Sequence, residues 1–303
     1  MTALELGPTV LGGNVFGWTA DQASSFAILD AFVAAGGRAI DTADSYTHWI
    51  QGNSGGESET IIGNWLTRRG RRDDVVIATK VFSLPARAGL GPANIAAAVD
   101  DSLRRLQTDY VDVYFAHRDD LEVAQEDYPA AFDALVRAGK VRELGASAFT
   151  ADRLRSAAAV AKANGLTPFT LAQDEWNLVS REIEKERVPA IAELGLTEIS
   201  SSSLARGFLS GKYRPGVDVA SARAPRAGAH LDDPRNLELL TALDDLAAAH
   251  KSTVASVSLA WLRAQPVVGA PIASARTLEQ LPSLLDVVDL KPDEVARLSA
   301  ITA

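Results

Sequence analysis

The chain has 303 residues, 47% hydrophobic and 23% charged, the balance of an ordinary globular protein long enough to bury a core without covalent staples. It contains no cysteine, which excludes disulfides, iron–sulfur clusters, thiolate zinc sites and a cysteine nucleophile. Its 30 basic and 39 acidic side chains give a net charge of −9, which argues against a nucleic-acid partner. Residues Met1 to Gly13 lack the basic and then apolar regions of a secretory signal, and no run approaches the roughly eighteen apolar residues of a membrane span, so a cytoplasmic location is expected.

Short β-branched or aromatic runs alternate with longer alanine-rich segments of helical period, the pattern of βα units. Thr9–Leu11 is the first expected strand. A helix over Asp21–Ala35 follows and ends at Gly36-Gly37, where glycine takes a left-handed cap. Arg38–Thr42 and Glu57–Arg68 form the next unit, then Val75–Lys80 and Pro92–Leu106. In the latter helix Val99, Leu103 and Leu106 share one stripe behind an initial proline. Val111–Ala116 precedes a helix over Pro129–Ala138 closed by Gly139, and Val141–Ser147 precedes Ala151–Ala163. Thr170–Gln173, Glu186–Leu194 and the strand Glu198–Ser201 continue the rhythm. Arg214 to Pro234 then breaks it: a mixture of Pro, Gly, Ala, Arg and Asp without apolar period reads as a long loop, either functional or a disordered insertion. Helices over Leu237–His250 and Thr253–Ala264, a strand over Val268–Ile272 and two terminal helices complete the chain. The pattern predicts one α/β domain over residues 1–303, a (β/α)8 TIM barrel with long strand-end loops. An open doubly wound sheet would want a GxGxxG turn after its first strand, and none is present.

In such a barrel the reactive groups sit at the C-terminal ends of the strands. Those ends carry Asp41, with Tyr46 in its loop, then Lys80 and His117. Each alone has a bland reading: a helix cap, a rim ion pair, a strand-end histidine, a loop aromatic. Together they suit carbonyl reduction, in which the alkoxide left by hydride addition needs a proton donor. Tyr46 can donate, and a Lys80 cation about 4 Å away would favour its phenolate by on the order of 4 kcal/mol at an effective dielectric near 20. Asp41 would hold Lys80 charged, and His117 would hydrogen-bond the substrate oxygen.

The runs Asp41-Thr42-Ala43-Asp44-Ser45-Tyr46, Ala78-Thr79-Lys80 and Tyr114-Phe115-Ala116-His117 resemble successive motifs of the aldo-keto reductase superfamily. The resemblance continues through Gly145-Ala146-Ser147, Gln173 with Trp176-Asn177-Leu178, Leu204 to Tyr213, and Pro271 to Leu281, in order along nearly the whole chain. It implies a (β/α)8 barrel, an Asp41/Tyr46/Lys80/His117 tetrad, and NADP(H) extended across the strand ends, with NAD(H) left open. The cofactor contacts it implies are Gly13, Asn14, Val15, Asp41, Ser147, Gln173, Ser201, Leu204, Ala205, Gly207, Leu209, Gly211, Lys212, Ser274, Arg276 and Gln280. Among these Arg276 is the expected grip on a 2′-phosphate, because guanidinium donates two parallel bonds to phosphate oxygens. The sequence departs from the family at Ala148, where an asparagine is common, at Ser201, where a stacking tyrosine is common, and at Ser283 and Leu284, where an acidic residue and an adenine-binding asparagine are frequent.

Trp18, Trp49 and Trp176, with Tyr46 and His117, are the candidate substrate contacts for a small-molecule carbonyl or alcohol: an aldehyde, a ketone or a sugar carbonyl. Glu57 and Glu59 suggest a paired-carboxylate glycosidase but read better as acidic residues at a helix start. His48, His117, His230 and His250 show no ligand spacing, so no metal is expected. The competing reading is a cofactor-binding regulatory or channel-type subunit on the same barrel, with little turnover.

Overall fold

Eight short parallel strands curl around one axis in the computed structural model, which describes residues 4–303; the first three residues of the expected 1–303 domain lie outside it. They are β1 (Val10–Gly12), β2 (Ala39–Asp41), β3 (Val76–Val81), β4 (Val111–Ala116), β5 (Val141–Ser147), β6 (Leu171–Gln173), β7 (Thr197–Glu198) and β8 (Ile272–Ala273). Each pairs with the next as far as β7, and β8 pairs with β1. The chain leading into β8 also joins β7. Glu198 N–H donates to Val267 O at 2.8 Å, Gly269 N–H to Glu198 O at 2.9 Å, and Ile272 N–H to Ser200 O at 2.8 Å. The (β/α)8 barrel therefore closes without a free edge.

Helices α1 (Gln22–Ala34), α2 (Glu57–Arg69), α3 (Pro92–Leu106), α4 (Asp127–Arg137), α5 (Ala151–Asn164) and α6 (Arg187–Leu194) follow the first six strands. Their starts follow from local chemistry: the Asp21 carboxylate accepts the Ser24 N–H at 2.8 Å, and the Thr150 hydroxyl accepts the Arg153 N–H at 3.3 Å. Helix α4 begins two residues before the expected Pro129, whose ring is tolerated in a first turn. After β7 come α7 (Ala224–Gly228), α8 (Pro234–Ala249) and α9 (Val254–Arg263), and after β8 come α10 (Leu281–Leu285) and α11 (Pro292–Ile301). The expected disordered-or-functional loop is thus partly helical. It carries α7 and a 3-10 turn over Ala229–Asp232, and Ala227 is fully buried.

Side chains alternate across every strand. Val10, Ala39, Ala78, Val113, Phe115, Leu171, Ile199 and Ile272 point inward and fill the barrel centre. Their neighbours Leu11, Ile40, Ile77, Tyr114, Leu144 and Ala172 point outward into the layer under the helices. A second apolar cluster, built around Trp176, Phe208, Leu239, Leu243 and Trp261, joins the loop after β7 to α8 and α9.

Gly145 leaves room for an inward ring: a Cβ there would stand 2.2 Å from Phe115 Cε1. Gly145→Ala is expected to lose about 1–3 kcal/mol through overpacking, measured as a lowered urea midpoint with an unchanged slope. An unchanged midpoint would show that Phe115 has room to move.

Candidate active site

The alternation that fills the barrel also selects the residues at its mouth. Two residues beyond the inward positions Val10, Ala39, Ala78, Phe115, Gly145, Leu171, Ile199 and Ile272 stand Gly12, Asp41, Lys80, His117, Ser147, Gln173, Ser201 and Ser274. All but Lys80 line one cavity of about 610 Å³. Lys80 is wholly buried behind Asp41 and Tyr46.

The floor of this cavity is a compact polar knot. Lys80 Nζ donates to both Asp41 oxygens at 2.6 and 2.7 Å, to Thr42 O at 2.7 Å and to the Tyr46 oxygen at 2.8 Å. The Tyr46 hydroxyl donates to Asp41 Oδ2 at 3.0 Å, and Gln173 Nε2 to Asp41 Oδ1 at 3.0 Å. Burial pulls the Lys80 ammonium down, opposed by the Asp41 carboxylate. Burial and the charge and hydrogen bond of Asp41 push the Tyr46 phenol well above its usual range. The Lys80 contact expected from sequence is present, while burial and the Asp41 carboxylate together favour the protonated phenol. Burial, then the charges of Lys80 and Arg118, lower His117 well below the usual imidazole range, and its Nδ1 is buried with no partner. The imidazole is therefore neutral.

Aromatic rings form one wall. Trp18 and Trp49 meet edge to face at 6.2 Å, Trp49 and Tyr46 at 6.5 Å, and Tyr46 and His117 at 6.1 Å. Opposite them the chain turns through left-handed Ser202, Ala205, Arg206 and Gly207 and places Leu204, Arg206 and Gly207 on the lining. The long loop supplies Arg223 and Arg226. Arg223 Nη2 donates to Asn14 Oδ1 at 3.2 Å, and its guanidinium lies 5.5 Å from the Trp18 ring. Burial, with Arg276 and Arg206 nearby, lowers Arg223 from its ordinary range.

Of the residues expected from sequence, the cavity gathers Asn14, Trp18, Asp41, Tyr46, Trp49, His117, Ser147, Gln173, Ser201, Leu204, Gly207 and Ser274. Gly13, Val15, Ala205, Leu209, Gly211, Lys212, Arg276 and Gln280 do not line it. Val15, Ala205 and Leu209 are core residues, and Gln280 accepts the Arg276 N–H at 2.9 Å. Trp176 is a correction. It is buried edge-on against Trp261 at 6.1 Å, with Nε1 donating to Glu184 at 2.9 Å, because it faces the helical layer rather than the mouth. Arg206 lies within the matched Leu204–Tyr213 run without being singled out there, and Arg223 and Arg226 were not foreseen; the break in rhythm after Tyr213 marked their segment but not its arginines. Glu57 accepts from Ser54 N–H, Gly55 N–H and the Thr47 hydroxyl, and Glu59 from Thr79 Oγ1 and Arg105 Nε, so both carboxylates are occupied in structural bonds. Among the described residues no group of three metal-ligating side chains occurs, and no helix is long and apolar enough to cross a membrane.

Comparison with known proteins places this closed eight-stranded barrel in an oxidoreductase family. The chain belongs to the aldo/keto reductase family, whose sequence pattern matches residues 8–303. It is 34% identical to the uncharacterized oxidoreductase YrpG of Bacillus subtilis, over 98% of this chain and 92% of that one. It is 29% identical to the putative aryl-alcohol dehydrogenase AAD14 of Saccharomyces cerevisiae, over 98% and 84% of the two chains. It is also 29% identical to norsolorinic acid reductase of Aspergillus flavus, over 95% and 75%.

Because burial and two nearby cations disfavour its charged form, His117 is expected to stay neutral as pH falls through 6.5. Ring nitrogen chemical shifts followed by NMR would check this, and titration near 6.5 would contradict it.

Proposed function

We propose that this protein interconverts an aromatic aldehyde or ketone and its alcohol with NADP(H), Tyr46 serving as proton donor and acceptor. The observation that carries the reading is the Tyr46 hydroxyl on the cavity lining, 2.8 Å from Lys80 Nζ and 3.0 Å from Asp41. The aromatic wall of Trp18, Trp49 and Tyr46 supports an aryl substrate, as does the similarity to a putative aryl-alcohol dehydrogenase.

The residues present fit a nicotinamide dinucleotide. Ser147 and Gln173 offer hydroxyl and amide groups beside the knot, while Arg206 and Arg276 each stand close enough to Arg223 to repel its charge. Cations so grouped favour an anionic ligand such as a pyrophosphate or 2′-phosphate. NAD(H) would use all of these contacts except one to the 2′-phosphate. When bound, the reduced nicotinamide supplies hydride to a carbonyl carbon.

The chain's own residues handle the proton. Tyr46 stays protonated through the neutral range and can release its proton to an oxygen that becomes far more basic as hydride arrives. Lys80, already in contact, stabilises the phenolate left behind. Asp41 keeps Lys80 charged. His117, uncharged, can offer a hydrogen bond to the same oxygen without competing as an acid.

Tyr46→Phe is expected to cut turnover by about 10²-fold or more with little change in cofactor affinity. Near-normal turnover would remove Tyr46 from the mechanism. Alcohol oxidation needs the phenolate, whose fraction grows with pH below the raised phenol range, so oxidation should climb throughout pH 7–10 while carbonyl reduction stays flat. An oxidation plateau below pH 8 would contradict this.

Arg276 is half-buried beside Arg223 and is assigned to the 2′-phosphate. Arg276→Ala should raise the NADPH dissociation constant roughly ten- to a hundredfold, consistent with losing a charge-assisted bond, and leave NADH unchanged. Fluorescence titration of both cofactors decides it, and equal effects on the two would withdraw the assignment.

A further inference from the structure

Behind the cavity, in the layer between barrel and helices, lies a buried charged group that the proton-transfer scheme does not use. Asp174 follows Gln173 and turns outward as Gln173 turns inward. It is 3% exposed, and Glu198, on the outward face of β7, is fully buried. The Asp174 N–H donates to Glu198 Oε1 at 3.0 Å, and the Asp174 carbonyl accepts the Ser201 N–H at 2.7 Å. Arg187, at the start of α6, donates to Asp174 Oδ1 at 2.6 Å. The amide of Ala148 also faces the Asp174 carboxylate and favours its ionised form.

These contacts reach the ends of three adjacent strands. Ala148 follows Ser147 on β5, Asp174 follows Gln173 on β6, and Ser201 continues β7. Ser147, Gln173 and Ser201 are also three of the polar side chains on the cavity lining. Two costs accompany the arrangement. Ala148 sits at φ +55°, a left-handed conformation that disfavours a side chain with a Cβ. Glu198 Oε2 and the Ser200 hydroxyl, on the same outward face, have no partner. Burial raises Asp174 to about 6 against the pull of Arg187, and burial with the neighbouring Asp174 raises Glu198 well above its ordinary range. A strained alanine and a buried acid pair persist only where surrounding contacts over-determine them.

We infer that Asp174 is a positioning residue: bonded to Arg187, Glu198 and the Ser201 amide and facing the Ala148 amide, it holds Ser147, Gln173 and Ser201 in register for the nicotinamide half of the cofactor. The inference rests on the proposed cofactor reading and deepens it. Gln173 links the two layers, since its amide also donates to Asp41 at the cavity floor.

Asp174→Asn keeps the shape but weakens the charge contact to Arg187, and Asp174→Ala removes both. Glu198→Gln keeps a side-chain oxygen to accept the Asp174 N–H and serves as the conservative control. The test is titration of each full-length variant with NADPH and with 2′,5′-ADP, a fragment lacking the nicotinamide half. Asp174→Ala should weaken NADPH about tenfold or more, Asp174→Asn less, and Glu198→Gln little, with 2′,5′-ADP binding unchanged in all three. Equal weakening of both ligands would show a general structural role, and unchanged NADPH binding would show none; either overturns the inference. If Asp174→Ala does not fold, Asp174→Asn alone decides between these outcomes. Failure of the wild type to bind either ligand would instead overturn the cofactor reading.

Discussion

A lysine with no exposed surface, tied to a carboxylate at 2.6 Å, is the interaction on which the site depends. Desolvating two charges costs several kcal/mol per ion unless every donor and lone pair is answered, so the pair requires a specific set of neighbours. Lys80 has three protons and four oxygen partners: both Asp41 oxygens, Thr42 O and the Tyr46 oxygen. One proton is therefore shared across the carboxylate while the others go to Thr42 and Tyr46. Asp41 in turn accepts from Tyr46 and Gln173. Removing any member leaves another buried group short of a partner, which ties the orientation of Tyr46 to the integrity of the barrel floor.

The same closure explains why the phenol keeps its proton. A tyrosine beside a lysine alone would favour phenolate; one that also donates to a buried carboxylate does not. On the proposed reading of Tyr46 as proton donor, a phenol loaded at neutral pH is the useful ground state, and the Lys80 cation acts on the phenolate left after transfer. A view of Lys80 and Tyr46 as an isolated pair omits burial and Asp41, which together favour the protonated phenol in the resting site.

Much of the site was legible because a strand repeats every two residues. Ala39 to Asp41, Phe115 to His117, and Leu171 to Gln173 each step from the barrel centre to its mouth on one face of the chain. Trp176 comes soon after a strand end that reaches the cavity, yet it faces Trp261 in the helical layer, a direction that strand alternation does not carry past Gln173. Arg223 was beyond local reasoning altogether. Its partner Asn14 is 209 positions away, and no periodicity in a loop of Pro, Gly and Ala reveals where that loop docks. Asp174 and Glu198 read as ordinary polar residues until the fold buries them side by side.

Whole-chain charge was equally silent about the mouth. A net charge of −9 is distributed by pairing: on the outer ring Arg69 meets Asp74, Arg153 meets Asp119 and Arg181 meets Glu184 within 2.7 Å. At the cavity the pattern differs. Arg206 reaches Glu175 only at 3.6 Å, and Arg223 meets Asn14 and the Trp18 ring rather than a carboxylate. A concave site focuses the field of such cations, so an acidic molecule can present an anion-attracting entrance. An acidic total therefore coexists with a cationic mouth, because the range of unscreened attraction is about 8 Å at physiological salt and the local cluster, not the sum, governs what approaches it.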